Sequence, residues 1–322
     1  MLKVGIIVLS FNQFERTTKL CLDSLISQLD SVGDDISTEL LVFDNGSSDG
    51  SAKLLESYIK PCPKIRLHLN EINLGFAGGI NAAARTLSVD WLLIVGSDIV
   101  FPDNALHNFL KSLVDVAENV ALVGPVTNEA GNGQKLLFPD NQLQTFLNVS
   151  ALKSSLPTGR KIPLYQVGFF CVAVKKLVWE ELDGLDLQYE RGYYEDFDFS
   201  MRAKKRGYKF LMLEDVLVYH YGSASFKAAS DLKKLIKKNK KIFLVNHPDA
   251  DLRHLRLDNA YVLEEYFKEP VDIRYINGLK NRIKWRLEAL YYEMPRSLIK
   301  KFLWRLKIKI LTREAEKWLT GE

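Results

Sequence analysis

Glu39-Leu40-Leu41-Val42-Phe43-Asp44-Asn45-Gly46-Ser47-Ser48-Asp49-Gly50 decides the fold class. Residues 39–43 are a mostly apolar run of strand length without period-two alternation, which fits a strand covered on both faces. A polar turn with two glycines ends it, and residues 51–59 then carry helical spacing. The same unit recurs on either side. Before it, an apolar run at 3–9 ends at Ser10-Phe11-Asn12, and a helical pattern follows over 15–29. After it come a strand at 65–69, a glycine-rich turn at 73–79 and a helix over 80–87. A fourth strand, 91–95, ends at Gly96-Ser97-Asp98, with a helix over 103–117 and a strand at 120–123. Buried strands alternating with amphipathic helices predict an α/β protein with a mostly parallel sheet flanked by helices.

Farther along, residues 125–165 lack a clear period and are predicted to be irregular. Strands are expected at 166–174, 208–213 and 216–219, and a helix opens near Tyr193-Tyr194-Glu195-Asp196-Phe197-Asp198. No run of 18 apolar residues occurs, so no membrane-spanning helix is expected. Hydrophobic residues make up 47% of the 322 positions and charged residues 26%, which excludes disordered and fibrous classes. The three cysteines form no CxxC pair, so neither a zinc site nor a disulfide frame is expected, and a reducing, cytoplasmic setting fits.

In open α/β sheets ligands bind beyond the carboxyl ends of the strands. Four successive strand ends carry polar residues: Ser10 and Asn12, Asp44 and Asn45, Asn73 and Gly75, Ser97 and Asp98. Helix capping needs fewer, so these ends mark a binding site. Neither GxGxxG nor a P-loop is present. Asp44 can still accept hydrogen bonds from a base or ribose. The small residues Gly75, Gly78 and Gly79 let backbone come close to a ligand at a helix start, where phosphate is favoured. Asp98 and His220 each follow a strand and could hold a divalent ion whose other ligands are phosphate oxygens. Glu195, Asp196 and Asp198 crowd three acids into four residues and raise one another's pKa. Asp198 is spaced to pair with Arg202, which leaves Asp196, with Glu195 beside it, as the candidate catalytic acid–base group.

Together these residues resemble the GT-A glycosyltransferases of family 2, and among them the bacterial rhamnosyltransferase-like members that build surface polysaccharides. The resemblance covers residues 3–225 and rests on five ordered motifs. Val8-Leu9-Ser10-Phe11-Asn12 is similar to the first-strand motif beside the nucleoside, and Phe43-Asp44-Asn45-Gly46-Ser47-Ser48-Asp49-Gly50 to the uridine or thymidine site. Asn73-Leu74-Gly75-Phe76-Ala77-Gly78-Gly79-Ile80-Asn81 is similar to the donor loop of this branch. Glu195-Asp196-Phe197-Asp198 resembles the acidic motif, and His220-Tyr221-Gly222-Ser223 the late metal-holding histidine. Gly96-Ser97-Asp98 departs from the family triplet, which begins with Asp or Asn; only its last acid is kept. The resemblance implies an inverting transfer of sugar from a UDP- or dTDP-sugar to a saccharide or lipid-linked saccharide hydroxyl. Asp196 is then the base, and Asp98 and His220 hold Mg2+ or Mn2+. The altered triplet motivates a second reading, a nucleotide-sugar-binding scaffold with weak or no turnover.

The net charge of +4 divides unevenly. Residues 1–225 hold 21 Lys/Arg and 27 Asp/Glu, and residues 226–322 hold 23 and 13. This predicts a catalytic domain over 1–225 and a basic helical region over 226–322. In the latter, 276–294 and 299–311 have helical apolar spacing, with Pro295 between them. The first is expected to pack on the catalytic domain. The second, with Lys300, Lys301, Arg305, Lys307 and Lys309, is expected either to lie peripherally on an anionic membrane surface or to mediate packing such as a homodimer. No nucleic-acid-binding module is recognisable.

Overall fold

The computed structural model describes residues 1–30, 32–190, 192–222, 232–250 and 258–321. The first half alternates as the sequence predicts: β1 (Leu2–Ser10), α1 (Lys19–Leu29), β2 (Ile36–Asp44), α2 (Ser51–Ile59), β3 (Ile65–Leu69), α3 (Gly75–Arg85) and β4 (Trp91–Gly96). Helix α3 opens at Gly75 rather than near residue 80, because the loop before it is held by side chains described below. Then follow β5 (Ile99–Val100), α4 (Ala105–Ser112), β6 (Val120–Thr127), α5 (Leu143–Ser154), β7 (Lys161–Leu164), β8 (Cys171–Lys175), α6 (Lys176–Glu181), α7 (Glu195–Lys205) and β9 (Lys209–His220). The chain closes with α8 (Leu232–Asn246), α9 (Asp258–Lys268), α10 (Ile276–Tyr292) and α11 (Leu298–Thr320).

The strands run in the order β3-β2-β1-β4-β8-β6-β9-β5, with β7 also paired to β9. The pairs β3/β2, β2/β1, β1/β4 and β6/β9 are parallel; β4/β8, β8/β6, β5/β9 and β7/β9 are antiparallel. The sheet is therefore mixed, with its parallel half formed by the first four strands. Ile6, Val8, Leu93 and Val95 face α1, α2 and α4, while Ile7, Leu92 and Ile94 face α3, α6 and α7. Burial on both faces explains why these strands lack alternation.

Three further expectations are corrected, the first being that the strand expected over 166–174 is confined to β8 (Cys171–Lys175). Residues 125–165 contain α5 and β7; the apolar residues of α5 are spread around the helix rather than gathered on one face, and of the large ones only Phe146 is fully buried. The strands expected at 208–213 and 216–219 are one strand, β9. Its register on β6 shifts so that Leu213 faces Pro125 and Leu217 faces Val126. Pro125 has no N–H to give to a ladder, and Glu214-Asp215-Val216 bulge away there. The bulge aims Glu214 into the C-terminal helices. Its carboxylate meets Arg282 Nη1 at 2.5 Å and Arg286 Nε at 2.7 Å, all three residues being buried. Asp215 turns the other way and accepts from the Thr158 and Gly159 amides, each at 2.8 Å. Leu279, Ile283 and Leu290 of α10 share a core with Ile162 of β7 and Met212 and Leu217 of β9, so residues 276–294 pack on the sheet. The expected domain boundary near 225, and Ser223, lie outside the described residues.

Candidate active site

The ends of β1 and β2 are stitched to each other. Asn12 and Gln13 both have left-handed backbone, φ 57° and 58°. This turns their amides toward the second loop: Asn12 N donates to Ser47 Oγ (2.7 Å), Gln13 N to Asp49 Oδ2 (2.8 Å) and Phe14 N to Ser51 Oγ (3.0 Å). Asn12 Oδ1 accepts from Ser48 N at 2.9 Å. Ser10 is buried with its hydroxyl 3.3 Å from that of Thr18, and its carbonyl takes the Asn45 amide. Asp44 is buried and accepts from Ser47 N (2.9 Å) and Ser47 Oγ (2.6 Å). These bonds fix a loop that leaves the remaining lone pairs of the Asp44 carboxylate for another donor.

Asn45 continues the pattern. Its Nδ2 donates to Asn73 Oδ1 and the Gly75 carbonyl, and its Oδ1 accepts from Leu74 N, all within 3.1 Å. Asn73 Oδ1 also accepts from Gly75 N at 2.8 Å, which is why α3 starts there. Gly79 permits this close approach: a Cβ on it would stand 2.6 Å from Leu9 Cδ1 and 3.2 Å from Asn45 Nδ2. Gly78 lies half-buried one residue before it. Asn81 is engaged differently, its amide pairing both ways with the backbone of Leu185 at 2.8 and 2.9 Å. It ties α3 to the loop before α7.

Asp98 and His220, more than a hundred residues apart, meet because β5 pairs with the end of β9: Ile99 lies opposite His220, and Tyr221 N donates to the Asp98 carbonyl at 3.1 Å. Asp98 Oδ2 is 3.5 Å from His220 Nε2. His220 Nδ1 donates to the Glu129 carbonyl (2.7 Å), which turns Nε2 toward the carboxylate. Asn128 holds the histidine backbone from both sides, and Phe170 stacks on the ring at 5.3 Å. Burial would lower the imidazole pKa, but the Asp98 carboxylate and the Glu129 carbonyl outweigh it and raise it. No cluster of three or more metal-type ligands exists among the described residues. One carboxylate oxygen and one imidazole nitrogen, part-exposed and facing each other, fit a hard divalent ion that takes its other ligands from phosphate. The glycine of the altered triplet has a local reason: a Cβ at Gly96 would lie 3.1 Å from Asp98 Oδ1 and 3.2 Å from the Phe170 carbonyl. Ser97 sits half-buried between them.

The three acids of the helix α7 start have separate fates. Asp198 is buried and saturated. It accepts from Arg202 Nε (2.7 Å) and Tyr189 OH (3.3 Å) and lies 2.7 Å from His247 Nε2. Glu195 is buried with Oε2 lacking a hydrogen-bond partner among the described residues; burial, then the neighbouring Asp196 charge, pushes its pKa well up. Asp196 is half-buried and makes no ion pair among the described residues. Its carboxylate accepts from Phe197 N (2.7 Å) and Gln166 Nε2 (3.3 Å), and burial raises its pKa above the ordinary 3.8 despite those bonds. A hydrogen-bonded, accessible carboxylate with raised pKa is suited to taking a proton.

Sequence reasoning missed what holds this motif. Tyr193 and Tyr194 both have left-handed backbone, φ 69° and 77°, a strained pair directly before the acids. Asn239 of α8, fully buried, donates through Nδ2 to the carbonyls of Tyr189 (2.8 Å), Gly192 (2.7 Å) and Tyr193 (3.1 Å). Phe243 stacks on Phe197 at 4.5 Å and meets Tyr194 at 5.4 Å. His247 completes the clamp on Asp198. In the sequence Asn239 and Phe243 sit in a lysine-rich helix, and His247 just past its end, with no motif of their own.

The family model for glycosyl transferase family 2 matches residues 5–170, ending before the acidic motif. The amylovoran biosynthesis glycosyltransferase AmsB of Erwinia amylovora is 23% identical over 312 residues, spanning 93% of this chain and 95% of that protein. Among solved structures, GalNAc-T7 with UDP, GalNAc and Mn2+ superposes with a TM-score of 0.56 at 14% identity, covering 91% of this chain and 57% of that one. S. aureus TarS 1–349 does so with a TM-score of 0.51 at 17% identity, covering 100% and 92%. At such identities the likeness is one of fold, the GT-A fold. With half of its length matched by the family model on a sheet of this topology, the chain belongs to glycosyl transferase family 2.

Proposed function

We propose that this protein moves a sugar from a UDP- or dTDP-sugar, with inversion, to a hydroxyl of a saccharide, free or lipid-linked, in the assembly of a bacterial surface polysaccharide. The observation that carries the proposal is the division among the three acids: Asp198 is consumed by structure, while Asp196 stays accessible, raised in pKa and oriented by Gln166. In the reaction Asp196 accepts the acceptor hydroxyl proton. The oxygen forms its bond to the anomeric carbon as the bond to the diphosphate breaks, and the diphosphate leaves with the electron pair. The Asp44 loop receives the nucleoside, and the α3 start, where the positive end of the helix dipole lies, is where the diphosphate would be favoured. Asp98 and His220 would hold Mg2+ or Mn2+, which when bound supplies charge stabilisation to the leaving diphosphate. The name of AmsB supports the polysaccharide setting, and the Mn2+ bound to GalNAc-T7 supports the metal.

The altered Gly96-Ser97-Asp98 triplet favours one second reading, a donor-binding scaffold without turnover. Incubation with UDP- and dTDP-sugars, Mn2+ and saccharide acceptors separates the two. Transfer by the native chain, and its loss by about 100-fold or more in Asp196→Asn with donor-induced thermal stabilisation retained, is the expected result. Stabilisation by donor without transfer or hydrolysis under any condition would leave the scaffold. Full activity in Asp196→Asn would remove the base assignment.

A further inference from the structure

Helix α11 is apolar on two opposite faces. One face packs inward: Ile308, Leu311 and Ala315 are buried, and Trp304 Nε1 donates to the Leu290 carbonyl at 2.9 Å. At 100° per residue, Leu298, Ile299, Phe302, Leu303, Leu306 and Ile310 fall on the other side within one arc. They are exposed to between 48% and 83%. Scattered exposed apolar residues are ordinary; six large ones in one stripe mark a contact surface.

The margins of the stripe are cationic. Lys300 and Lys307 border one edge, and Lys301, Arg305 and Lys309 the other. Lys307 also reaches Glu264 at 3.0 Å. No acidic residue occurs between Met294 and Arg313. Tyr291 and Tyr292, at the end of α10 just before, are exposed as well. No helix among the described residues is long and apolar enough to cross a membrane. An apolar stripe edged by cations on both sides, on a helix already anchored by its opposite face, has the form of an interfacial helix.

We propose that this face of α11 lies flat on an anionic lipid membrane, with the apolar stripe among the acyl chains and the flanking cations at the headgroups. Charge decides the occupant. A second copy packed symmetrically on the stripe would bring basic margins together, with no acidic residue in 295–312 and only Glu264, already paired with Lys307, beside them. An anionic bilayer supplies both the apolar layer and the opposite charge. The proposal is independent of the donor chemistry, because none of these residues touches the candidate site.

Flotation of the full chain with vesicles tests it. Binding is expected with phosphatidylglycerol-containing vesicles and not with phosphatidylcholine alone, and it weakens as salt rises. Ile299→Ser/Phe302→Ser/Leu306→Ser is expected to abolish flotation. Lys300→Gln/Lys301→Gln/Arg305→Gln is expected to weaken it by roughly 5-fold per removed cation. All the substituted apolar positions are exposed, so both variants should keep the native melting temperature and donor-induced stabilisation. Flotation of the serine variant equal to that of the native chain would overturn the proposal. So would failure of the native chain to float with anionic vesicles. A concentration-dependent dimer, lost in the serine variant and accompanied by no lipid binding, would assign the face to a second copy instead.

Discussion

The parallel half of the sheet, β3-β2-β1-β4, and the mixed half, β8-β6-β9 with β5 and β7, hold their functional loops by different means. On the parallel side the loops after β1, β2 and β3 are bound by short side-chain-to-backbone bonds between neighbours: Asn12 with Ser47 and Ser48, Asn45 with Leu74 and Gly75. On the mixed side the links span long stretches of sequence and bury charge or whole amides. Asp98 meets His220, Asp198 meets His247, Glu214 meets Arg282 and Arg286, and Asn239 gathers three carbonyls of the 189–193 loop. The end proposed to take the nucleotide is thus assembled locally. The end that carries the proposed base depends on helices far along the chain.

The largest effect that would sharpen this contrast is on stability. Glu214→Ala leaves Arg282 and Arg286 buried without their counter-ion, and a loss of about 3–5 kcal/mol is expected in denaturant unfolding. A loss under 1 kcal/mol would show that the C-terminal helices are held by their apolar contacts alone. Next comes Asn239→Ala, which orphans carbonyls of the strained loop and is expected to cost about 1–3 kcal/mol. Because that loop precedes Asp196, kcat should fall while donor binding, proposed for the other half, is unchanged. An equal fall in both would break the separation between the halves.

A smaller effect is the pH dependence. Burial raises Asp196 above 3.8, so the acid limb of activity should lie above the ordinary aspartate range, activity rising with pH as the base ionises. Glu195 is raised above 4.5 as well. A carboxyl whose folded pKa is raised favours the folded state most below its unfolded pKa, and that contribution is lost as pH climbs through the folded value. Stability should therefore decline from pH 5 upward by a slope that Glu195→Gln reduces, as melting curves across pH would show. Smallest of all, Lys64→Ala removes an ion pair with Asp30 at the rim of the parallel half, both side chains some 80% exposed, and should leave the melting temperature unchanged.

Legibility in the sequence follows the same division. Asp44 and Asn45 were readable because they stand at the end of an apolar run, and a strand end presents its residues at the sheet edge whatever the rest of the chain does; Asn73 and Gly75 were readable from the small residues that open the next helix. Asp196 and Asp198 were separable by spacing, since only Asp198 lies four residues before Arg202. Asn239 and His247 were not readable. A lone amide in a lysine-rich helix and a lone imidazole just past its end look like solvated surface, and no period or spacing links them to residues fifty positions earlier. The bulge in β9 was missed for a related reason: Glu214-Asp215 between two apolar runs reads as a turn, and only its partners on α10 and at Thr158 show that the strand continues.

Sequence by itself determined the α/β class, the order of the first strands and helices, and the acids able to do chemistry. Those properties depend on local periodicity and residue type. Tertiary structure decided that Tyr189 and His247 close over Asp198, that His220 faces Asp98, and which face of α11 is left uncovered. Each of those outcomes depends on which groups are desolvated or paired by segments far apart in the chain, and burial and pairing are properties of the packed whole.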